Sequence, residues 1–199
     1  MFIDLHTHSN KSDGSLSPEQ LIDYAKSKNL YAIALTDHDT VNGLKAAEKH
    51  ASECGIEFIP GIEISGMWEN GDLHILGYFI DPDNEILQLG LEKLKEARNN
   101  RNPQIIKKLN ELGINITMQD VINKAGGNII SRAHIARALA EKKAVSSYEE
   151  AFEKFLEPGK PAYFPKDKMG AENSVNLIKK AGGLVVLAHP FSLNRTEEE

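Results

Sequence analysis

Short apolar runs separated by helical patterns, each leading into a histidine- or carboxylate-bearing turn, restrict this chain to a layered α/β fold with polar groups gathered along one rim of its sheet. The first runs are Phe2 to Leu5, Tyr31 to Thr36 and Ile56 to Ile64, with helical patterns over Ser17 to Lys28 and Thr40 to Cys54 between them. That is a β-α-β-α-β rhythm. Ser17-Pro18-Glu19-Gln20 supplies an N-cap, a proline at the first helical position and a capping-box glutamine, so the first helix has a defined start. Leu44, Ala47, Ala51 and Cys54 share one side of the second helix. A further strand is expected over Leu73 to Ile80, ended by Asp81-Pro82-Asp83.

From about Glu85 to Lys168 the pattern changes to polar, Lys/Glu/Asn-rich helical segments, expected at 86–112, 118–125, 132–142 and 148–156, with a return through Pro158-Gly159-Lys160-Pro161. Glu172 to Ala181 resumes as a helix stopped by Gly182-Gly183, and Leu184 to Ala188 reads as a fully apolar strand. The expected division is a barrel body over 1–84, a helical cap or substrate subdomain over 85–168, and the body's continuation over 169–199. No internal repeat is visible, and the only biased tract is the acidic Glu197 to Glu199 end.

Composition removes several function classes. With 199 residues, 41% of them hydrophobic, the chain can bury a substantial core. A net charge of −6 disfavours broad attraction to duplex nucleic acid or an anionic membrane, although bound cations could reverse the charge locally. No apolar stretch approaches the roughly 20 residues that span a bilayer. The single Cys54 cannot form an internal disulfide, and MFIDLHTHSN lacks the basic start and apolar run of a secretory signal. A cytoplasmic location is therefore expected.

His6, His8, His38, His74, His134 and His189 lie in or beside turn-like segments, whereas His50 sits in mid-helix. In parallel α/β folds the carboxyl ends of the strands form a shared rim on which residues distant in sequence converge. His6 and His8 are two apart, which on an extended chain points both imidazoles to one side. Imidazole and carboxylate suit Mn, Zn, Fe or Mg, and a shared carboxylate permits several ions in one site. Asp4, Asp37 and Asp39 flank these histidines, either to orient imidazoles or to cap turns.

Asp4-Leu5-His6-Thr7-His8-Ser9, Asp13-Gly14, Thr36-Asp37-His38-Asp39, Gly61-Ile62-Glu63-Ile64-Ser65, Leu73-His74-Ile75-Leu76-Gly77 and Ala188-His189-Pro190 occur in order along the chain. Together they resemble the ordered motifs of the PHP (polymerase and histidinol phosphatase) superfamily. The resemblance implies a distorted (β/α)₇ barrel with a multinuclear site of two or three divalent ions in its mouth. It assigns His6 and His8 to one ion, Asp13 and His38 to a second and His74 and His189 to a third, with Glu63 bridging. The family pattern closes on a further strand bearing an Asp-x-His pair, which is not found before Glu199, so the barrel is expected to be truncated at its C-terminus. The implied chemistry is hydrolysis of a phosphate ester by metal-activated water, without a serine or cysteine nucleophile.

Ser131-Arg132-Ala133-His134 resembles the substrate loop of the nucleotide-phosphatase branch. Independently, Ser131 suits an N-cap, which would place Arg132 and His134 in a first helical turn that favours an anion. The expected substrate is a small phosphorylated nucleotide, such as a nucleoside 3′,5′-bisphosphate, or the 5′ end of a short RNA. Histidinol-phosphate phosphatase and a non-catalytic or proofreading PHP module of a DNA polymerase are the competing readings.

Overall fold

The computed structural model describes residues 2–67, 73–127, 129–165 and 169–193. The expected boundary at Lys168 and the acidic Glu197 to Glu199 end lie outside those residues. Strands β1 (Phe2–Thr7), β2 (Leu30–Leu35) and β3 (Glu57–Met67) run parallel and are linked by helices α1 (Pro18–Ser27) and α2 (Leu44–Cys54). The capping box forms as the sequence predicts: Ser17 N–H donates to Gln20 Oε1 at 3.0 Å, and Gln20 N–H donates to Ser17 Oγ at 3.2 Å. α2 starts at Leu44 rather than Thr40, because the intervening residues turn around His38, with Asp39 left-handed at φ 54°. Gly55 closes α2 at φ 68°, a conformation glycine takes without strain.

β4 (Leu73–Tyr78) departs from the parallel rhythm. It lies antiparallel on β3, pairing Glu63 with Leu76 and Ser65 with His74. Only residues 68–72 join the two strands, far fewer than the dozen or so that a parallel crossover needs. β5 (Met169–Gly170) extends β3 in parallel at Gly66 and Met67, and β6 (Leu184–Leu187) pairs antiparallel with β4. The result is a mixed six-stranded α/β sheet, with β1-β2-β3-β4-β6 as its main order. β6, the fully apolar strand of the sequence, is largely exposed, because among the described residues it has a strand neighbour on one side only.

The intervening segment is helical: α3 (Glu85–Glu111), α4 (Met118–Ile122), α5 (Arg132–Glu141) and α6 (Tyr148–Ala151), the last running into a π-helical turn over Phe152–Leu156. α7 (Ala171–Lys180) then returns to the sheet. α3 joins two cores. Its first half sets Leu87, Leu91 and Leu94 against Ile62, Ile64 and Leu177, while its second half puts Ile105 and Leu109 in a separate cluster with Ile116, Ile135 and Leu139. Among the described residues, no helix is long and apolar enough to cross a membrane.

Candidate metal centre and active site

Glu63 is the hub of the sheet's mouth. It stands within β3, its side chain only 1% exposed, and five imidazoles converge on its carboxylate. Oε2 lies 2.8 Å from His6 Nε2, 3.1 Å from His8 Nε2 and 3.4 Å from His38 Nδ1. Oε1 lies 2.9 Å from His74 Nδ1 and 3.0 Å from His189 Nε2. Alternation along β1 brings His6 and His8 to the same side, with ring centroids 5.1 Å apart. His38 is held beside Glu63 by a backbone bridge in which Asp39 N–H donates to Glu63 O at 3.0 Å and Glu63 N–H donates to Asp37 O at 3.2 Å. His74 reaches the mouth from the start of β4, not from a strand end, because β4 is antiparallel.

Asp13 approaches from a tight loop, its oxygens 3.8 Å from His8 Nδ1 and 3.7 Å from His38 Nε2. The loop is anchored by buried Asp37, which accepts from Ser9 N–H at 2.7 Å, Ser9 Oγ at 2.6 Å and Ser12 Oγ at 2.6 Å. It also requires glycine at 14, where a Cβ would sit 2.2 Å from the His8 carbonyl oxygen. Asp4 accepts from His6 N–H at 3.2 Å, and Asp39 accepts from Ser65 N–H at 2.8 Å and pairs with Arg98. These bonds of the three flanking aspartates go to backbone, hydroxyl and guanidinium groups.

Electrostatics and unmet hydrogen bonds both fit a cation-binding cluster. Burial alone would raise the Glu63 carboxyl, yet hydrogen bonds with His6, His74 and His8, together with nearby His38, hold it far below the usual carboxylate range. Burial pushes His38 down to about 4 against the pull of Glu63 and Asp13, leaving a neutral imidazole of the kind that binds metal. His8 Nδ1 and His38 Nδ1 are buried without a hydrogen bond. Three sets of donors lie close enough to share an ion: His6, His8 and Glu63; His8, Asp13 and His38; and His38, Glu63 and His74. His74 Nδ1 and His189 Nε2 are 3.1 Å apart, near the ~3.3 Å separating two nitrogens on one tetrahedral zinc. The residues present therefore fit divalent ions, with His8 placed to serve two positions.

A pocket of about 200 Å³ opens from this cluster towards the helical segment. Asp13, His38 and His74 line it together with Arg98, Arg101 and Arg132, and Tyr148 and Phe152 contribute aromatic surface. A larger groove of about 790 Å³ runs between α3 and α7, but no histidine lines it. Arg132 donates to the Leu156 carbonyl at 2.9 Å and lies over the Tyr163 ring. His134 departs from its expected place on the phosphate. It is 1% exposed, and its Nδ1 accepts from Ser131 N–H at 3.1 Å, so it closes its own helix start from within and does not line the pocket.

Arg98 and Arg101 escaped the sequence reading. Both are buried, and burial, with Arg98 and Arg132 alongside, pushes the Arg101 guanidinium down to about 9. A signal was present: Leu87, Leu91, Leu94, Arg98, Arg101 and Ile105 follow the three- and four-residue spacing of one helical face, so two arginines stand where the pattern asks for apolar residues.

The segment beyond α3 also grips the Asp13 loop. Arg137 donates to the Asp13 carbonyl at 2.6 Å, and Gly126 packs so closely on Asn10 that a Cβ would lie 2.5 Å from its side chain. Arg137→Ala should weaken divalent-ion binding by about 10- to 100-fold, as loss of an outer partner typically does, while the melting temperature of the metal-free chain changes little. Calorimetric titration checks this, and Arg137→Lys should recover part of the loss; unchanged ion affinity in Arg137→Ala would leave the contact with a packing role only.

A PHP domain model matches residues 4–173. The chain belongs to the PHP domain family. This PHP chain is 39% identical over 197 residues to a 3′,5′-nucleoside bisphosphate phosphatase of Chromobacterium violaceum, an alignment covering 98% of the chain and 69% of that relative. It is 36% identical over 193 residues to a 5′-3′ exoribonuclease of Escherichia coli, covering 96% of the chain and 66% of that protein. Among solved structures, a C. violaceum amidohydrolase with bound sulfate and no metal superposes with a TM-score of 0.94 at 37% identity, over 100% of this chain and 70% of the other. The chain thus spans about two thirds of the length of these relatives. The family's phosphatases and exoribonucleases are hydrolases acting on phosphoric ester bonds, and this PHP chain falls in that class.

Proposed function

We propose that this PHP chain hydrolyses the 3′-phosphate ester of a nucleotide whose 5′-phosphate is held by Arg98, Arg101 and Arg132. The observation that carries the reading is that Asp13, His38 and His74 of the Glu63 cluster share one pocket with three arginines. Asp39 pairs with Arg98, but among the described residues no carboxylate pairs with Arg101 or Arg132. Crowded guanidiniums are costly when buried, and a phosphate dianion relieves that cost while fixing the substrate's orientation. A nucleoside 3′,5′-bisphosphate presents two phosphates, one for each of these two sets of residues. The 5′ end of a short RNA presents a 5′-phosphate and a 3′ ester in the same relation, which accommodates the activities named for the relatives.

His6, His8, Asp13, His38, Glu63, His74 and His189 would hold two or three divalent ions, of Mn, Zn, Fe or Mg type. When bound, the ions supply an activated water and neutralise charge on the phosphoryl oxygens. The protein's own contribution is positional. Glu63 balances charge between neighbouring sites, the Asp37-anchored loop presents Asp13, and Tyr148 and Phe152 give the sugar and base an apolar wall.

Arg132→Ala and Arg101→Gln should each lower kcat/KM for a nucleoside 3′,5′-bisphosphate by about 10- to 100-fold, corresponding to about 1.5–3 kcal/mol for a charge-assisted contact. Hydrolysis of p-nitrophenyl phosphate, which has no second phosphate, should change little. Equal losses on both substrates would assign the arginines to the fold or the metal cluster and remove the reading.

A further inference from the structure

His50 lies away from the mouth and faces Asp23 across the α1–α2 contact, with Cys54 one helical turn further on. His50 Nε2 is 2.7 Å from Asp23 Oδ1, and Cys54 Sγ is 3.9 Å from the same oxygen. One donor atom from each residue lies within 4.8 Å of the others. We propose that Asp23, His50 and Cys54 form a second metal site, selective for zinc and independent of the Glu63 cluster.

The helix supplies the first part of the argument. Residues 50 and 54 are one turn apart, so α2 presents imidazole and thiol on the same face, the spacing by which helices commonly offer paired ligands. Tetrahedral zinc with ordinary bond lengths holds nitrogen and oxygen about 3.4 Å apart and sulfur and oxygen about 3.6 Å apart. The observed separations bracket those values, and all three side chains are at least partly exposed and can adjust by tenths of an ångström.

The donor set decides the metal. A thiolate beside an imidazole is a zinc-type site, whereas the oxygen-rich requirement of magnesium or calcium is not met here. A thiolate and a carboxylate also neutralise one divalent charge. Glu53 Oε2 lies 3.6 Å from His50 Nδ1, on the ring nitrogen that would not bind the ion, where a carboxylate orients a ligating imidazole. The site sits where α2 ends, just before β3 begins at Glu57. Glu63 is six residues further along that strand, or roughly 20 Å away, so an ion here would cross-link α1 to α2 without touching the mouth.

Cys54 is the chain's single cysteine, which makes the test specific. Titrating the full chain with cobalt(II) should produce a thiolate-to-cobalt charge-transfer absorption that saturates at one ion per chain and is displaced by zinc. The Glu63 cluster contains no sulfur and cannot generate that signal. Cobalt affinity read from this band should fall at least about tenfold in His50→Ala and in Asp23→Asn, and stay unchanged in Glu63→Gln. Zinc should also slow alkylation of Cys54. The proposal is overturned by absence of the band at excess cobalt, by equal affinity in His50→Ala and Asp23→Asn, or by loss of the band in Glu63→Gln.

Discussion

Glu63→Gln should lower turnover by about a thousandfold or more while the chain remains folded. The five imidazoles divide between the two oxygens of Glu63, three on Oε2 and two on Oε1, so the carboxylate stands between neighbouring cation positions. Glutamine preserves shape and can still hydrogen-bond to imidazole, which spares the packing around β3. It removes the negative charge that would offset adjacent ions, and it turns an N–H₂ group towards nitrogens that would have to be free to bind metal. Ion content per chain should therefore fall together with activity, while the far-ultraviolet circular dichroism is unchanged. Metal analysis and steady-state kinetics on the same preparation check both halves. Near-normal turnover with full metal content in a folded Glu63→Gln protein would remove Glu63 from the bridging role.

The distances that support this expectation were only partly legible in the sequence. Period and capping located the helices well: the Ser17-Gln20 box and the Gly182-Gly183 stop after α7 are local chemistry, readable without knowing the fold. The direction of β4 is implied by the short 68–72 connection, which is too brief for a parallel crossover. The gathering of His6, His8, Asp13, His38, Glu63, His74 and His189 followed from ordered motifs, because each is set by its own strand or turn. Partners across the chain were not legible. Nothing beside Ser9 or Ser12 announces that their hydroxyls end on Asp37, and nothing near Arg98 names Asp39, since those pairings depend on how α3 and the Asp13 loop pack. His134 shows the converse. A helix-start histidine reads as an anion ligand, but burial turned it inward to cap its own turn.

Asp37→Ala should cost about 3–5 kcal/mol of folding stability, a large share of the roughly 5–15 kcal/mol available to a typical domain. The carboxylate is 1% exposed and accepts three hydrogen bonds, from Ser9 N–H, Ser9 Oγ and Ser12 Oγ. Removing it strands the Ser9 N–H, which cannot rotate to another acceptor, and leaves two buried hydroxyls to find new partners around a new cavity. Asp37→Asn is the informative comparison. Its Oδ1 can still accept from Ser9 N–H and Ser12 Oγ, and its N–H₂ can donate to Ser9 Oγ, so the cost should be only about 1 kcal/mol. The urea midpoint should therefore fall slightly for Asn and steeply for Ala, with the slope of the transition unchanged if only the folded state is affected. Ion binding should follow the same order, because the Ser9–Ser12 turn carries Asp13 to within 4 Å of His8 and His38. An Asp37→Ala protein with the parental midpoint would show that the loop is held by its backbone and by Arg137, and that the buried carboxylate is not its anchor.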